Sequence, residues 1–213
     1  MKWWKEVRDT FVFCWREKFK ALIIFWIMAG ATYAIIPKIL ILEPDVTPFY
    51  HLDQAIPFVS WTVVIYLTLY LQVTLIFLTV RNRLVLRNLF WAYMLGGLLL
   101  SLFYFFLPTT HNYPTPVVHC LNYFDGAVLW LRATDVAANQ FPSGHAFFSL
   151  LGPFLLMSAG RYRKGVLFML WGALITISTL TVKQHNLVDV VAGGLFAMAF
   201  GYLFGESCPR RDD

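Results

Sequence analysis

The sequence predicts an all-α polytopic membrane protein, a six-transmembrane-helix bundle with an N-terminal amphipathic interfacial helix. Three observations predict it. The first is composition. Of 213 residues, 59% are hydrophobic, 18% aromatic and only 14% charged, against about 25% charged in a soluble domain. The mean hydropathy is +0.62. These values exclude a disordered or collagen-like chain and most soluble folds. The second is a set of apolar runs near the length needed to cross a bilayer, roughly 20 residues. The runs do not alternate apolar and polar residues, as a transmembrane barrel requires. The third is where the positive charge sits.

In chain order, residues 3–20 come first. Trp4, Val7, Phe11, Trp15 and Phe19 recur at helical spacing with charges between them. That pattern predicts a helix on the cytoplasmic membrane surface; the alternative is a first span that starts early. The spans follow at about 21–37, 56–80, 88–108, 142–160, 165–182 and 187–204, the shorter ones accommodated by tilt or local bilayer thinning. Ala29-Gly30-Ala31 resembles a cleavage site, but Glu6, Asp9 and Glu17 lie upstream, which argues against a signal peptide. Trp26, Trp61, Trp91 and Trp171 are interface anchors or core. Residues 117–131 are a candidate short surface helix. The chain divides into a surface segment (1–20), one membrane domain (21–204) and a tail (205–213).

Of the 17 basic residues, all but Lys38, Arg132 and Lys183 fall in segments on one side of this six-span arrangement. Those segments are the N-terminus, the links carrying Arg81, Arg83 and Arg87 and carrying Arg161, Arg163 and Lys164, and the tail with Arg210 and Arg211. Positive charge stays cytoplasmic, so both termini are expected in the cytoplasm of a plasma or inner membrane. The net charge of +5 is then a topology signal, and no nucleic-acid partner is expected. Cys14 and Cys208 fall inside and Cys120 outside, so no intrachain disulfide and no cysteine metal site are expected.

His51, His111, His119, His145 and His185 all fall in outer loops or at outer span ends. Two stand out. In Asn139-Gln140-Phe141-Pro142-Ser143-Gly144-His145, Pro142 suits the first turn of a helix, and the Ser143 and Gly144 amides open an anion site at its start. The bland alternative is a capped helix start with an interfacial histidine. In Lys183-Gln184-His185-Asn186-Leu187-Val188-Asp189, His185 and Asp189 share a helix face. A carboxylate there fixes the histidine tautomer and stabilises its cation. An ionised group within a span costs roughly 3 kcal/mol at the centre and is usually paired or functional; the alternative is a pair that merely satisfies itself. Asp189, Gly193, Ala197 and Gly201 continue the same step, so this face points into the bundle. Two spans that both start outside can bring His145 and His185 to one depth.

Pro142-Ser143-Gly144-His145 and His185-x-x-x-Asp189 resemble the type 2 phosphatidic acid phosphatase superfamily of membrane lipid phosphatases and phosphotransferases. Its third motif continues upstream as Ser-Arg; here Ser178 is in register and Thr179 replaces the arginine. The best match to the first motif, from Phe106 to Tyr113-Pro114, lacks its lysine and arginine. The stretch 52–58, the Asn-x-Phe-Pro-Ser-x-His form and the Lys-Gln-His form are similar to a divergent branch that includes inositol phosphorylceramide synthase-like proteins. The resemblance implies a six-span fold with an outward-facing site. It implies His185 as nucleophile through a phosphohistidine, Asp189 as its orienting group, and His145 as the acid for the leaving alcohol. Ser143 and Gly144 would hold phosphate oxygens, with no metal or other cofactor. A zinc site built from the histidines is the alternative, although no standard ligand spacing is present.

Lys183 is the natural substitute for the missing cations, or else a solvated lysine at a helix start; Arg132 and His111 are weaker candidates. A cation-poor site binds a monoanionic phosphodiester more readily than a dianionic monoester. Hydrolysis of a lipid phosphate and transfer of a head group from a phosphodiester lipid to another alcohol therefore both remain open. A non-catalytic membrane protein or a transporter is the reading from a different class. The expected partner is a membrane lipid with a phosphate or phosphodiester head group. Outer loops 38–55 and 109–141 would shape its pocket, with Trp130, Tyr113 and Tyr123 as contacts or interface residues.

Overall fold

The computed structural model describes residues 2–35, 39, 42–46, 51–110, 118–134 and 138–205, with side chains except at 2–14, 33–34, 46 and 51. Lys38, His111, Tyr113, Cys208, Arg210 and Arg211 lie outside the described residues, as do the side chains of Trp4, Val7, Phe11, Cys14 and His51.

The fold is all-α. Helix α1 (Lys2–Ile35) runs unbroken for about 50 Å, through the point where the sequence divides surface segment from span. After a short α2 (His51–Ala55), the second apolar run enters as a 3-10 turn, Ser60–Thr62. It continues as α3 (Val63–Leu67) and α4 (Leu69–Thr79). The step between α3 and α4 falls at Thr68. Its N–H bonds Ile65 O at 3.0 Å in 3-10 fashion, and its hydroxyl accepts from Trp171 Nε1 at 2.9 Å. Helix α5 (Arg83–Phe106) starts five residues earlier than the apolar run suggests. The reason is a cap: Asn82 Oδ1 accepts from Leu84 N and Val85 N, which brings Arg83 and Arg87 into the helix.

The surface helix expected over 117–131 is α6 (Tyr123–Thr134). Asn122 starts it by accepting from Phe124 N and Asp125 N. Then come α7 (Gly144–Ser158), α8 (Tyr162–Thr181) and α9 (Leu187–Gly205). Among the described residues, four stretches are long and apolar enough to cross a membrane: Ser60–Thr79, Arg83–Phe106, Tyr162–Thr181 and Leu187–Gly205. Gly144–Ser158 is apolar but shorter.

Helix α7 is the central element and packs most extensively on α8 and α9. Phe147, Leu151, Leu155 and Leu156 of α7 are buried with Val73, Ile76 and Phe77 of α4 and with Leu89, Ala92 and Tyr93 of α5. Phe25 brings α1 onto the same core, its ring 5.4 Å from that of Tyr93. The small-residue stripe of α9 faces α7 as the spacing requires. Asp189, Gly193, Ala197 and Gly201 are all buried. A Cβ on Gly193 would meet the carbonyl oxygen of Ser143 and the Ala146 side chain. Because the obstacle is backbone, it cannot rotate away. Gly193→Ala is expected to destabilise the protein by about 1–3 kcal/mol, read as a lower midpoint of thermal unfolding in detergent.

The two ends of the bundle are tied differently. At the end of α4, Lys18 Nζ donates to Leu78 O at 2.8 Å, and Arg161 donates to Thr79 O. Cations thus meet the carbonyls that a helix C-terminus leaves unpaired. At the other end, three segments are stitched together largely through the main chain. Strand β1 (Asp45–Val46) pairs in parallel with β2 (Thr109–Thr110). Thr109 also bridges to Asn139, and Phe141 N donates to Thr109 Oγ1 at 2.8 Å.

Candidate active site

The site forms where α7 and α9 start side by side. Ser143 is the N-cap of α7, its hydroxyl accepting from Ala146 N at 3.3 Å. Pro142 therefore precedes the cap rather than occupying the first helical turn, because the cap lies one residue later than the proline pattern implies. Ser143 N donates to Asp189 O at 2.9 Å, fastening the start of α7 to α9. Tyr104 of α5 donates to Pro142 O at 2.8 Å and steadies the turn from the other side. Of the two amides expected to be open, Ser143 N–H is thus used. The Gly144 and His145 N–H groups have no acceptor among the described residues. They point the positive end of α7 outward from the helix start. The Ser143 hydroxyl accepts in the cap and keeps its own proton to donate.

Helix α9 is capped in a related way. Asp189 Oδ2 reaches back to Asn186 N at 2.8 Å, a capping-box bond that holds the carboxylate toward the helix start. The same oxygen lies 3.7 Å from His185 Nδ1. Asp189 is fully buried and His185 nearly so. Among the described residues, His185 Nδ1 and Asp189 Oδ1 have no hydrogen-bond partner, so the pair is close but not closed. With Nδ1 facing the carboxylate, Nε2 is the free nitrogen of His185.

The structure brings His145 and His185 together, with ring centroids 6.0 Å apart. His145 stacks on Tyr66 of α3 at 4.1 Å and 26°, and its Nε2 is buried without a partner. Tyr66 was not legible as a site residue, since an aromatic residue in an apolar span carries no chemical signal. His119 lies in the exposed segment before α6, and Arg132 sits over the Phe58 ring at 5.5 Å. Neither is among the contacts that unite the two motifs. Among the described residues, no three His, Cys, Asp or Glu side chains cluster as a metal-ligand set.

Lys183, the one basic residue of the two motifs, is buried and takes φ 62°. Its Nζ donates to Asp53 O at 2.8 Å and to Ile56 O at 2.6 Å. Burial lowers its pKa below the ordinary lysine range, and Asp53 partly restores it. The stretch 52–58, noticed in the sequence without a role, is thus what Lys183 holds.

A cavity of about 750 Å³ opens on the histidines. Gly144, His145 and His185 line it together with Trp130 and otherwise mainly apolar residues of α1, α4 and α5. Trp91 and Tyr104 both line it. Their spacing along α5 corresponds to about 20 Å.

The geometry amounts to two histidines, a carboxylate behind one of them, and open amides at a helix start, all beside an apolar cavity. No curated protein and no solved structure matches the chain. The family model described as PAP2 superfamily matches residues 40–203, which include both histidine motifs, and the chain belongs to that superfamily.

Proposed function

We propose that this integral-membrane protein is a metal-independent lipid phosphate phosphatase, acting through a phosphohistidine at the outer membrane face. The observation that carries the reading is the meeting of His145 and His185 at 6.0 Å, with Asp189 behind His185 and an apolar cavity in front. His185 Nε2 attacks phosphorus, and Asp189 stabilises the imidazolium that develops. The P–O bond to the lipid alcohol breaks, and His145 gives that oxygen its proton. Water then attacks the phosphohistidine, passes a proton to His145 and breaks the P–N bond, releasing phosphate. Ser143 Oγ–H and the Gly144 N–H are placed to donate to the phosphate oxygens. The length and apolar lining of the cavity suit a lipid tail.

In this reading α1 and α7 complete six spans. Residues 1–20 lie on the cytoplasmic surface, 21–204 form the catalytic membrane domain, and 205–213 form a cytoplasmic tail. The free, exposed Cys120 then faces outward. A membrane-impermeant maleimide added to intact cells is expected to label Cys120 and to spare Cys14 and Cys208. Labelling of the latter pair instead would invert the topology.

The activity test uses purified protein in detergent and a panel of lipid phosphates, with free phosphate measured. Activity is expected to survive a chelator; its loss would contradict the metal-free mechanism. A second reading is supported by the engagement of Lys183 on two carbonyls. A site whose nearest lysine is so engaged suits a monoanionic phosphodiester. Head-group transfer to another lipid alcohol, as in the inositol phosphorylceramide synthase-like branch, would then replace hydrolysis. Label moving between lipids without release of phosphate decides for transfer.

A further inference from the structure

We propose that Asp53 is a positioning residue, joined with Lys183 in a clasp that binds α2 to the turn carrying His185 and sets the first turn of α9. The proposal rests on the reading of His185 as nucleophile only for its catalytic consequence.

Asp53 is 4% exposed, and a buried carboxylate must be matched by donors or cations. Its Oδ1 accepts from Leu187 N at 2.7 Å, so a residue 134 positions away satisfies a first-turn amide of α9. Its backbone carbonyl accepts from Lys183 Nζ at 2.8 Å, and Ile56 O accepts from the same ammonium at 2.6 Å. The clasp therefore has two arms in opposite directions: a side chain of α2 reaches the α9 start, and a side chain of the turn reaches the end of α2.

The turn itself is tightly wound. Lys183 N bonds Leu180 O, and the Gln184 and His185 amides both bond Thr179 O. Lys183 sits at φ 62°, the left-handed region that a side-chain-bearing residue adopts only at a cost. Such a backbone persists only where its surroundings hold it, and the two carbonyls on Nζ do so here.

The clasp also divides the donors at the α9 start. Asp189 Oδ2 takes Asn186 N–H, and Asp53 takes Leu187 N–H. Without Asp53, the Leu187 amide would compete for the Asp189 carboxylate, which already stands 3.7 Å from His185 Nδ1. Asp53 thus reserves Asp189 for the histidine, and Lys183 balances the second carboxylate beside an anionic substrate.

The test compares Asp53→Ala, Lys183→Met and the double variant with the wild type, alongside Asp53→Asn and Lys183→Arg. On the best phosphate ester of the panel, each disruptive variant is expected to lower kcat by about 10- to 100-fold, as misplacement of a reacting group does, with KM nearly unchanged. The double variant should be no worse than the poorer single one, because both remove the same clasp. Asp53→Asn keeps an oxygen acceptor and Lys183→Arg keeps two donors, so both should recover most of the rate. Independently of turnover, amide hydrogen exchange over residues 183–190 should quicken in Asp53→Ala while residues 165–180 stay as in the wild type.

A raised KM at unchanged kcat in Lys183→Met would make Lys183 a phosphate ligand and overturn the clasp. Additive losses in the double variant, or unaltered exchange over 183–190, would overturn it equally. If the wild type turns over no phosphate ester, the reading of His185 fails, and the exchange measurement alone decides the clasp.

Discussion

His185→Ala is expected to abolish turnover, lowering kcat by about 10⁴-fold or more, as removal of a covalent nucleophile does. The effect is largest here because no neighbouring group can replace it. His145, 6.0 Å away centroid to centroid, is packed flat on Tyr66 and is itself needed as the acid. Asp189 is already committed to the Asn186 amide. The protein should still fold, since His185 bonds the bundle through its backbone N–H to Thr179 O rather than through its side chain. Rapid base quenching of wild type with ³²P-labelled substrate should trap labelled protein that stays labelled in base and loses its label in acid, as a phosphoramidate does. The same label should be absent in His185→Ala. Turnover by His185→Ala comparable to wild type would end the phosphohistidine mechanism.

The second large effect is expected at His145 and depends on the leaving group. With an unactivated lipid alcohol, the departing oxygen must be protonated as the P–O bond breaks, and His145→Ala should lower kcat by about 10²- to 10⁴-fold. With a nitrophenyl phosphate, whose leaving group is stable as an anion, the loss should shrink to about tenfold or less. The contrast between the two esters is the measurement. An equal loss on both would assign His145 to phosphate binding or to packing against Tyr66 instead of proton donation. Tyr66→Phe keeps the stacked ring and should leave the leaving-group dependence of the wild type in place.

Much of this architecture was legible because a bilayer imposes simple rules. Long apolar runs at 60–79, 83–106, 162–181 and 187–205 were visible to within a few residues. The early start of the run at 83 came from capping by Asn82, and the start of the surface helix at Tyr123 from capping by Asn122. A stepwise count of small residues from Asp189 gave the buried face of α9 correctly, because close helix approach in lipid needs small side chains. The histidine motifs were readable because ionisable groups are conspicuous at membrane depth. What sequence could not reveal was partnership across long separations. The sequence leaves Lys183 as either a substitute cation for phosphate or a solvated lysine, and it gives no sign of the carbonyls 127 and 130 residues away that its ammonium meets. The stack of Tyr66 on His145 and the bond from Asp53 to the Leu187 amide are hidden for the same reason. In the sequence Tyr66 is an ordinary aromatic in an apolar run, and Asp53 an ordinary acid in what reads as an outer loop.

The stitching of the outer segments has one more consequence. Asp45–Val46, Thr109–Thr110 and Asn139 hold each other chiefly through main-chain atoms, and main-chain atoms are the same whatever residue supplies them. In the proposed reading, Asn139, which also lines the cavity, is the entry point for redesigning which head group is admitted. Thr109 should be spared, because its hydroxyl is itself one of the stitches. In the proposed reading the reacting groups sit on helix starts while Asn139 sits on a segment stitched through the main chain, so the two can be altered separately.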